Sequence, residues 1–316
     1  MKQTNSAYEK VLQNIKLAAQ MPPEDAIPLL VKCAKQGFPL VASKAVQALV
    51  EQNHPSVVQT LIDLYTWAEE DPSTRDKACD IRIAIVEALG DNRSQYGVET
   101  LRKAIRTVHI ARLGPGPEDV AIPLRAAAAI ALAKADSNAL YELSLLLFDM
   151  QPHPKAPTAP VNVPFVKAPT RKAAAMGIGI LGDLGGLPLL AVKLKHTEGE
   201  VPDVLAECLE SLIAMQPEYV MEVTLPYLRG TDEYLSAITA LALAENYGIK
   251  VMSLLLETLE QVQGEAKEAI VTAISIIRSS ETREVLQGLS DDPSPYVRKA
   301  AKQGLENFGG NLDEKN

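Results

Sequence analysis

The stretch with the most chemical promise is Gly177-Ile-Gly179-Ile-Leu-Gly182, which spells the G-x-G-x-x-G of a dinucleotide-binding turn. That turn needs a strand entering it and a helix opening from it, so that backbone N–H groups meet the pyrophosphate. Here Arg171-Lys-Ala-Ala-Ala-Met runs into the glycines already in helical pattern, and Gly182–Gly186 ends the helix. The order predicts glycines that let helices pack closely rather than a nucleotide site. Four histidines, His54, His109, His153 and His196, have no second His or Cys at i+3 or i+4, the spacing that sets two zinc ligands on one helix face. Cys33, Cys79 and Cys208 lie among apolar helical residues outside any C-x-x-C pair, which predicts small buried hydrophobes. G-x-S-x-G, P-loop and H-E-x-x-H motifs are absent. Paired carboxylates such as Glu69-Glu70 and Asp291-Asp292 fall at turns and helix starts, where solvent and the helix dipole favour acids. The sequence therefore predicts no catalytic residue, no metal and no cofactor, and a protein that is not an enzyme.

One polar pairing does recur. An aspartate stands six residues before an arginine at Asp76/Arg82, Asp119/Arg125 and Asp292/Arg298, and each arginine sits near the start of an apolar helical pattern. Such a pair would tie a turn to the helix that follows it. Arg171, followed by Lys172, occupies the same place with no aspartate before it, so it is the arginine expected to be free for a partner.

These arginines mark a repeat. Arg298 is followed by Ala300, Ala301 and Leu305; Arg125 by Ala127, Ala128 and Leu132; Arg82 by Ala84, Ile85 and Leu89; Arg171 by Ala173, Ala174 and Ile178. Weaker copies begin at Ala42, Leu205, Leu235 and Lys267. Each is preceded by a shorter apolar helix, and no segment shows convincing strand alternation. A single helix pair cannot bury its own apolar face and needs neighbours of its kind. The predicted class is all-α, an α-α superhelix of about eight helix pairs. It is a single solenoid over 1–316, with a capping helix in 1–23, repeats over 24–309 and a frayed tail at 310–316.

The repeats, with an aspartate six residues before the anchor arginine, resemble HEAT-repeat proteins of the armadillo-like helical class, in particular bacterial phycobilisome-lyase-like HEAT repeats. In that family the pair resembles a polar ladder, here Asp76, Arg82, Asp119, Arg125, Asp292 and Arg298, interrupted where the aspartate is missing. The resemblance allows a role as an accessory to tetrapyrrole attachment or turnover on phycobiliproteins. A more general similarity, to HEAT-like DNA glycosylases, would imply nucleic-acid binding or base excision.

Composition bears on these readings. The chain has 316 residues, 31 Lys and Arg against 40 Asp and Glu, and a formal charge of −9. That argues against a general affinity for nucleic-acid backbones. Three unpaired cysteines fit a reducing, cytoplasmic setting. The apolar runs look too short for a membrane span, and no signal-peptide core is evident. The leading expectation is a non-catalytic protein-interaction scaffold or adaptor, monomeric or weakly dimeric.

Between the two helices of one repeat lies an insertion over 150–169 with six prolines, two lysines, one histidine and no acid. Prolines hold the backbone extended, and Phe165 offers an apolar anchor. Lys155 and Lys167 give that edge a positive sign, which favours an acidic partner surface. The expected partner contacts are therefore Lys155, Phe165, Lys167, Arg171 and Lys172, with a packed cover over the adjacent helices as the alternative role of the insertion.

Overall fold

A computed structural model describes residues 2–36, 39–113, 116–149 and 167–309. After α1 (Lys2–Ala18), helices alternate in pairs through the described residues. The first pairs are α2 (Pro23–Ala34) with α3 (Pro39–Glu51), and α4 (Val57–Glu70) with α6 (Asp80–Asn92), the one-turn helix α5 (Pro72–Arg75) lying between. Next come α7 (Val98–Ala104) with α8 (Ile122–Ala135), and α9 (Leu140–Leu147) with α10 (Ala168–Leu181). The later pairs are α11 (Gly186–Lys195) with α12 (Pro202–Ala214), and α13 (Val220–Leu228) with α14 (Glu233–Tyr247). Then follow α15 (Met252–Gln261) with α16 (Glu265–Ile276), and α17 (Ser280–Leu289) with α18 (Pro295–Gly309). The class is all-α, with eight HEAT-like helix pairs among the described residues.

Local chemistry sets the ends of these helices. Pro23, Pro169 and Pro202 stand in the first turn, where a missing N–H costs nothing. Asp232 accepts a hydrogen bond from the Leu235 N–H at 3.0 Å, and Ser279 one from the Thr282 N–H at 3.1 Å. Gly182, at φ 64°, ends α10 in the left-handed region that glycine enters without strain.

The chain divides into two compact units, residues 1–183 and 184–316. In the first, the second helices pack in series: α3 on α6, α6 on α8, α8 on α10. Its core is aliphatic, with Leu30, Leu49, Leu61, Ile85, Leu89, Leu124, Leu132, Leu143 and Ile178 fully buried. In the second, α12 packs on α14, α14 on α16 and α16 on α18, around Ile213, Leu243, Leu255, Ile270, Ile274 and Val297.

Two features differ from the sequence reading. The connection after α7 contains a short antiparallel pairing, β1 (Ile110–Ala111) with β2 (Glu118–Asp119), in the register Ile110 opposite Asp119. Two residues per strand are too few to carry a period of two. The run Glu233–Gln261 is also long and apolar enough by composition to pass for a membrane span, contrary to the expectation from apolar run length. It is not one straight helix: Gly248, at φ 55°, breaks it, and Leu243, Met252 and Leu255 are buried in the core of the second unit.

The glycines of the fingerprint-like stretch lie inside or at the end of α10. A Cβ on Gly177 would meet Leu143 Cδ2 at 2.9 Å and the Ala129 carbonyl oxygen at 3.3 Å, so its role is close packing. The tightest approach is between α6 and α8, where a Cβ on Gly90 would sit 2.5 Å from Ala131 Cβ and 2.6 Å from Ala131 Cα. Gly90→Ala should therefore destabilise by about 1–3 kcal/mol, overpacking outweighing the gain in helix propensity. Gly288→Ala, with nothing within 4 Å of the new methyl, should stabilise by about 0.5–1 kcal/mol. Urea denaturation of both variants tests this; equal shifts of the same sign would refute the close-contact account.

Candidate functional site

The starts of α6 and α8 are largely buried, at Ile81 and Arg82 and at Ala121 and Leu124, and each needs an acceptor for its leading N–H groups. At α6 the acceptor is Asp76. Its Oδ1 takes the Ile81 N–H at 2.9 Å, and its Oδ2 takes the Arg82 N–H at 3.2 Å and Arg82 Nε at 2.8 Å. Both side chains are within 2% of full burial. Each therefore depends on the other, because an unpartnered charge at this depth would be costly. Between them the chain turns through Cys79 at φ 66°, an uncommon conformation for a residue with a side chain.

Arg82 Nη2 reaches on to Cys79 Sγ at 3.1 Å and to His109 Nδ1 at 3.3 Å. A guanidinium only donates, so His109 Nδ1 accepts and the ring proton sits on Nε2. Nε2 is buried without a hydrogen-bond partner among the described residues. Burial, and then the Arg82 charge, hold the His109 imidazole below its ordinary pKa. The Cys79 thiol is pushed up to about 12, chiefly by burial, so it stays protonated near neutrality and is no thiolate nucleophile.

His109 passes the row to the next repeat. Its backbone N–H donates to Asp119 Oδ1 at 3.3 Å, which also caps the Ala121 N–H at 3.1 Å. Asp119 Oδ2 pairs with Arg125 Nη1 at 2.8 Å, and the same nitrogen donates to the Thr107 carbonyl at 2.8 Å. One repeat further on, Lys167 Nζ binds both oxygens of Asp149 at 2.7 Å, and Arg171 Nη1 donates to the Asp149 carbonyl at 3.3 Å.

Beside this row lies a cleft of about 260 Å³. Ile105, Val108, Leu145 and Leu146 give it apolar walls, and Arg106, Asp119, Arg125, Glu142, Asp149 and Lys167 give it charge. Glu142 is nearly buried and held by Arg106 at 3.2 Å and Arg102 at 3.5 Å.

Several expected sites need correction. Arg171 is not free: it is fully buried and tied to the Asp149 backbone. Lys167 is buried against Asp149 and so is no exposed partner contact. The third Asp–Arg pair forms differently. Asp292 Oδ1 caps the Ser294 N–H at 2.8 Å, while Arg298 Nη1 donates to the carbonyls of Asp292 at 2.6 Å and Pro293 at 2.7 Å. Lys172 is exposed, as a contact would require. Lys155 and Phe165 lie outside the described residues. The sequence reading weighed His109 only as a metal ligand and passed over Arg106, Glu142 and Asp149, none of which belongs to a local motif. Among the described residues, no three His, Cys, Asp or Glu side chains are grouped to hold a metal ion.

No family model and no curated protein matches the chain. Among solved structures it is similar to human deoxyhypusine hydroxylase in complex with glycerol, with 13% identity and a TM-score of 0.36. The similarity covers 91% of this chain and 97% of that one. That protein is an enzyme. The expectation that this chain is not an enzyme, and the non-catalytic scaffold or adaptor reading with its alternatives, is corrected on that finding. A likeness this slight transfers no activity.

Asp76→Ala should cost about 3–5 kcal/mol, because it strands the buried Arg82 charge. Asp292→Ala should cost about 1 kcal/mol, the loss of a cap alone. Chemical denaturation measures both, and equal losses would remove the distinction. The His109 shift sets a pH dependence. Its folded pKa lies below the unfolded value of about 6.5, so its contribution is complete above that value and is lost as pH falls through the folded pKa. The melting temperature of the wild type should therefore drop relative to His109→Gln between pH 7.5 and 5; parallel curves would contradict the assignment.

Proposed function

We propose that the chain binds a partner protein through the solvent face of the second helices in its first unit. The observation that carries this is a line along α10: Lys172, Met176 and Ile180, all exposed, with Met176 and Ile180 each at 41%. Positions four apart share one helix face. The neighbouring helix α8 carries half-buried Ala126, Ala127 and Ile130. The two large apolar side chains would seat an extended or helical segment, with Lys172 supplying a charge at one end.

The partner surface is apolar with an acidic residue. Residues 1–183 hold twenty Lys and Arg against nineteen Asp and Glu, whereas residues 184–316 hold eleven against twenty-one. An acidic partner is repelled by the second unit and not by the first. The proposal concerns recognition and excludes no catalysis. The finer resemblance, to phycobilisome-lyase-like repeats, is kept as a proposal of lineage on the Asp76–Arg82 and Asp119–Arg125 pairs, and brings no tetrapyrrole with it.

Selection from a displayed peptide library against the full chain tests the proposal. Enriched segments should combine apolar residues with Asp or Glu. Met176→Glu should abolish their binding, and Lys172→Glu should weaken it about two- to fivefold, the range of one exposed ion pair. Unchanged binding to Met176→Glu would overturn the docking face.

A further inference from the structure

We propose that the cleft between α7, α8 and α9 is a binding site for a small carboxylate with a short apolar stem. This goes beyond the docking face on α10 and does not depend on it. Arg125 carries the inference. It lines the cleft, its residue exposure is 5%, and its pairing uses a single nitrogen, Nη1, for both Asp119 and the Thr107 carbonyl. Nε and Nη2 have no partner among the described residues. Those two nitrogens form one edge of the guanidinium, with parallel N–H bonds spaced to meet both oxygens of a carboxylate.

The other charges lining the cleft favour an anion there. Each of the three carboxylates already has a cation: Asp119 has Arg125, Glu142 has Arg106 and Arg102, and Asp149 has Lys167. A ligand ammonium would have to displace one of these, whereas a ligand carboxylate meets donors that are otherwise unused. Ile105, Val108, Leu145 and Leu146 would cover its stem. A volume of about 260 Å³ lies below the usual range for drug-sized ligands, which limits the guest to a short acid. The site is also pre-organised, since Asp119 is itself held by the backbone N–H groups of His109 and Ala121.

The test is thermal unfolding of the full chain with hexanoate, hexanamide or hexylamine at matched ionic strength. Hexanoate should raise the melting temperature by about 2 °C or more at saturation, and the amide and amine should not. Two rim variants locate the effect. Val108→Trp and Leu145→Trp alter half-exposed or exposed residues at the mouth and should each abolish the hexanoate shift. An equal shift with hexanamide would reduce the cleft to an apolar hole and overturn the carboxylate assignment. A hexanoate shift that persists in whichever rim variant keeps the wild-type melting temperature would place binding elsewhere and overturn the site.

Discussion

Neighbouring helices approach so closely that a single methyl group is too large at several crossings. Gly90 faces Ala131, Gly177 faces Leu143 and the Ala129 carbonyl, and Gly304 would place a Cβ 2.8 Å from Ser275 Cβ. Close helix contact draws the ends of these helices into the interior along with their sides. A buried helix start exposes N–H groups to no water, so an acceptor must be supplied by the chain. Asp76 and Asp119 fill that need, and each carboxylate, once buried, requires a cation. Arg82 and Arg125 follow from the same requirement. The polar row of the first unit is thus a consequence of how tightly its helices pack.

That logic explains what could be read in the sequence. The second helices were legible because their small residues repeat behind a fixed anchor, as in Arg125, Ala127, Ala128 and Leu132. The helix stops at Pro22–Pro23 and Gly182 were legible because the backbone rules for those residues are local. Asp76–Arg82 and Asp119–Arg125 were legible because six residues separate the partners. Arg171 misled because one of its partners is a backbone carbonyl, on Asp149, and a carbonyl leaves no mark in a sequence. Arg298 likewise prefers two carbonyls, freeing Asp292 to cap.

The cleft and the environment of His109 were hidden for a different reason. His109 meets Arg82 and Cys79 from about thirty residues away, delivered by the short pairing of Ile110–Ala111 with Glu118–Asp119. Arg106, Glu142 and Asp149 come from the ends of α7 and α9 in the same way. Contacts between repeats depend on the register of stacking, which one-dimensional spacing does not encode. In a stacked fold, then, the sequence shows most of what lies inside a repeat and little of what lies between repeats.

The three cysteines carry a practical consequence. Cys33 and Cys79 are buried in the first unit and Cys208 in the second, all as free thiols. A thiol sealed inside a packed helix pair reacts only when that pair opens, so the labelling rate counts openings. The wild-type chain thus holds a built-in set of local clocks, two in one unit and one in the other. A single mass-spectrometric time course would rank the breathing of its repeats without any engineered probe.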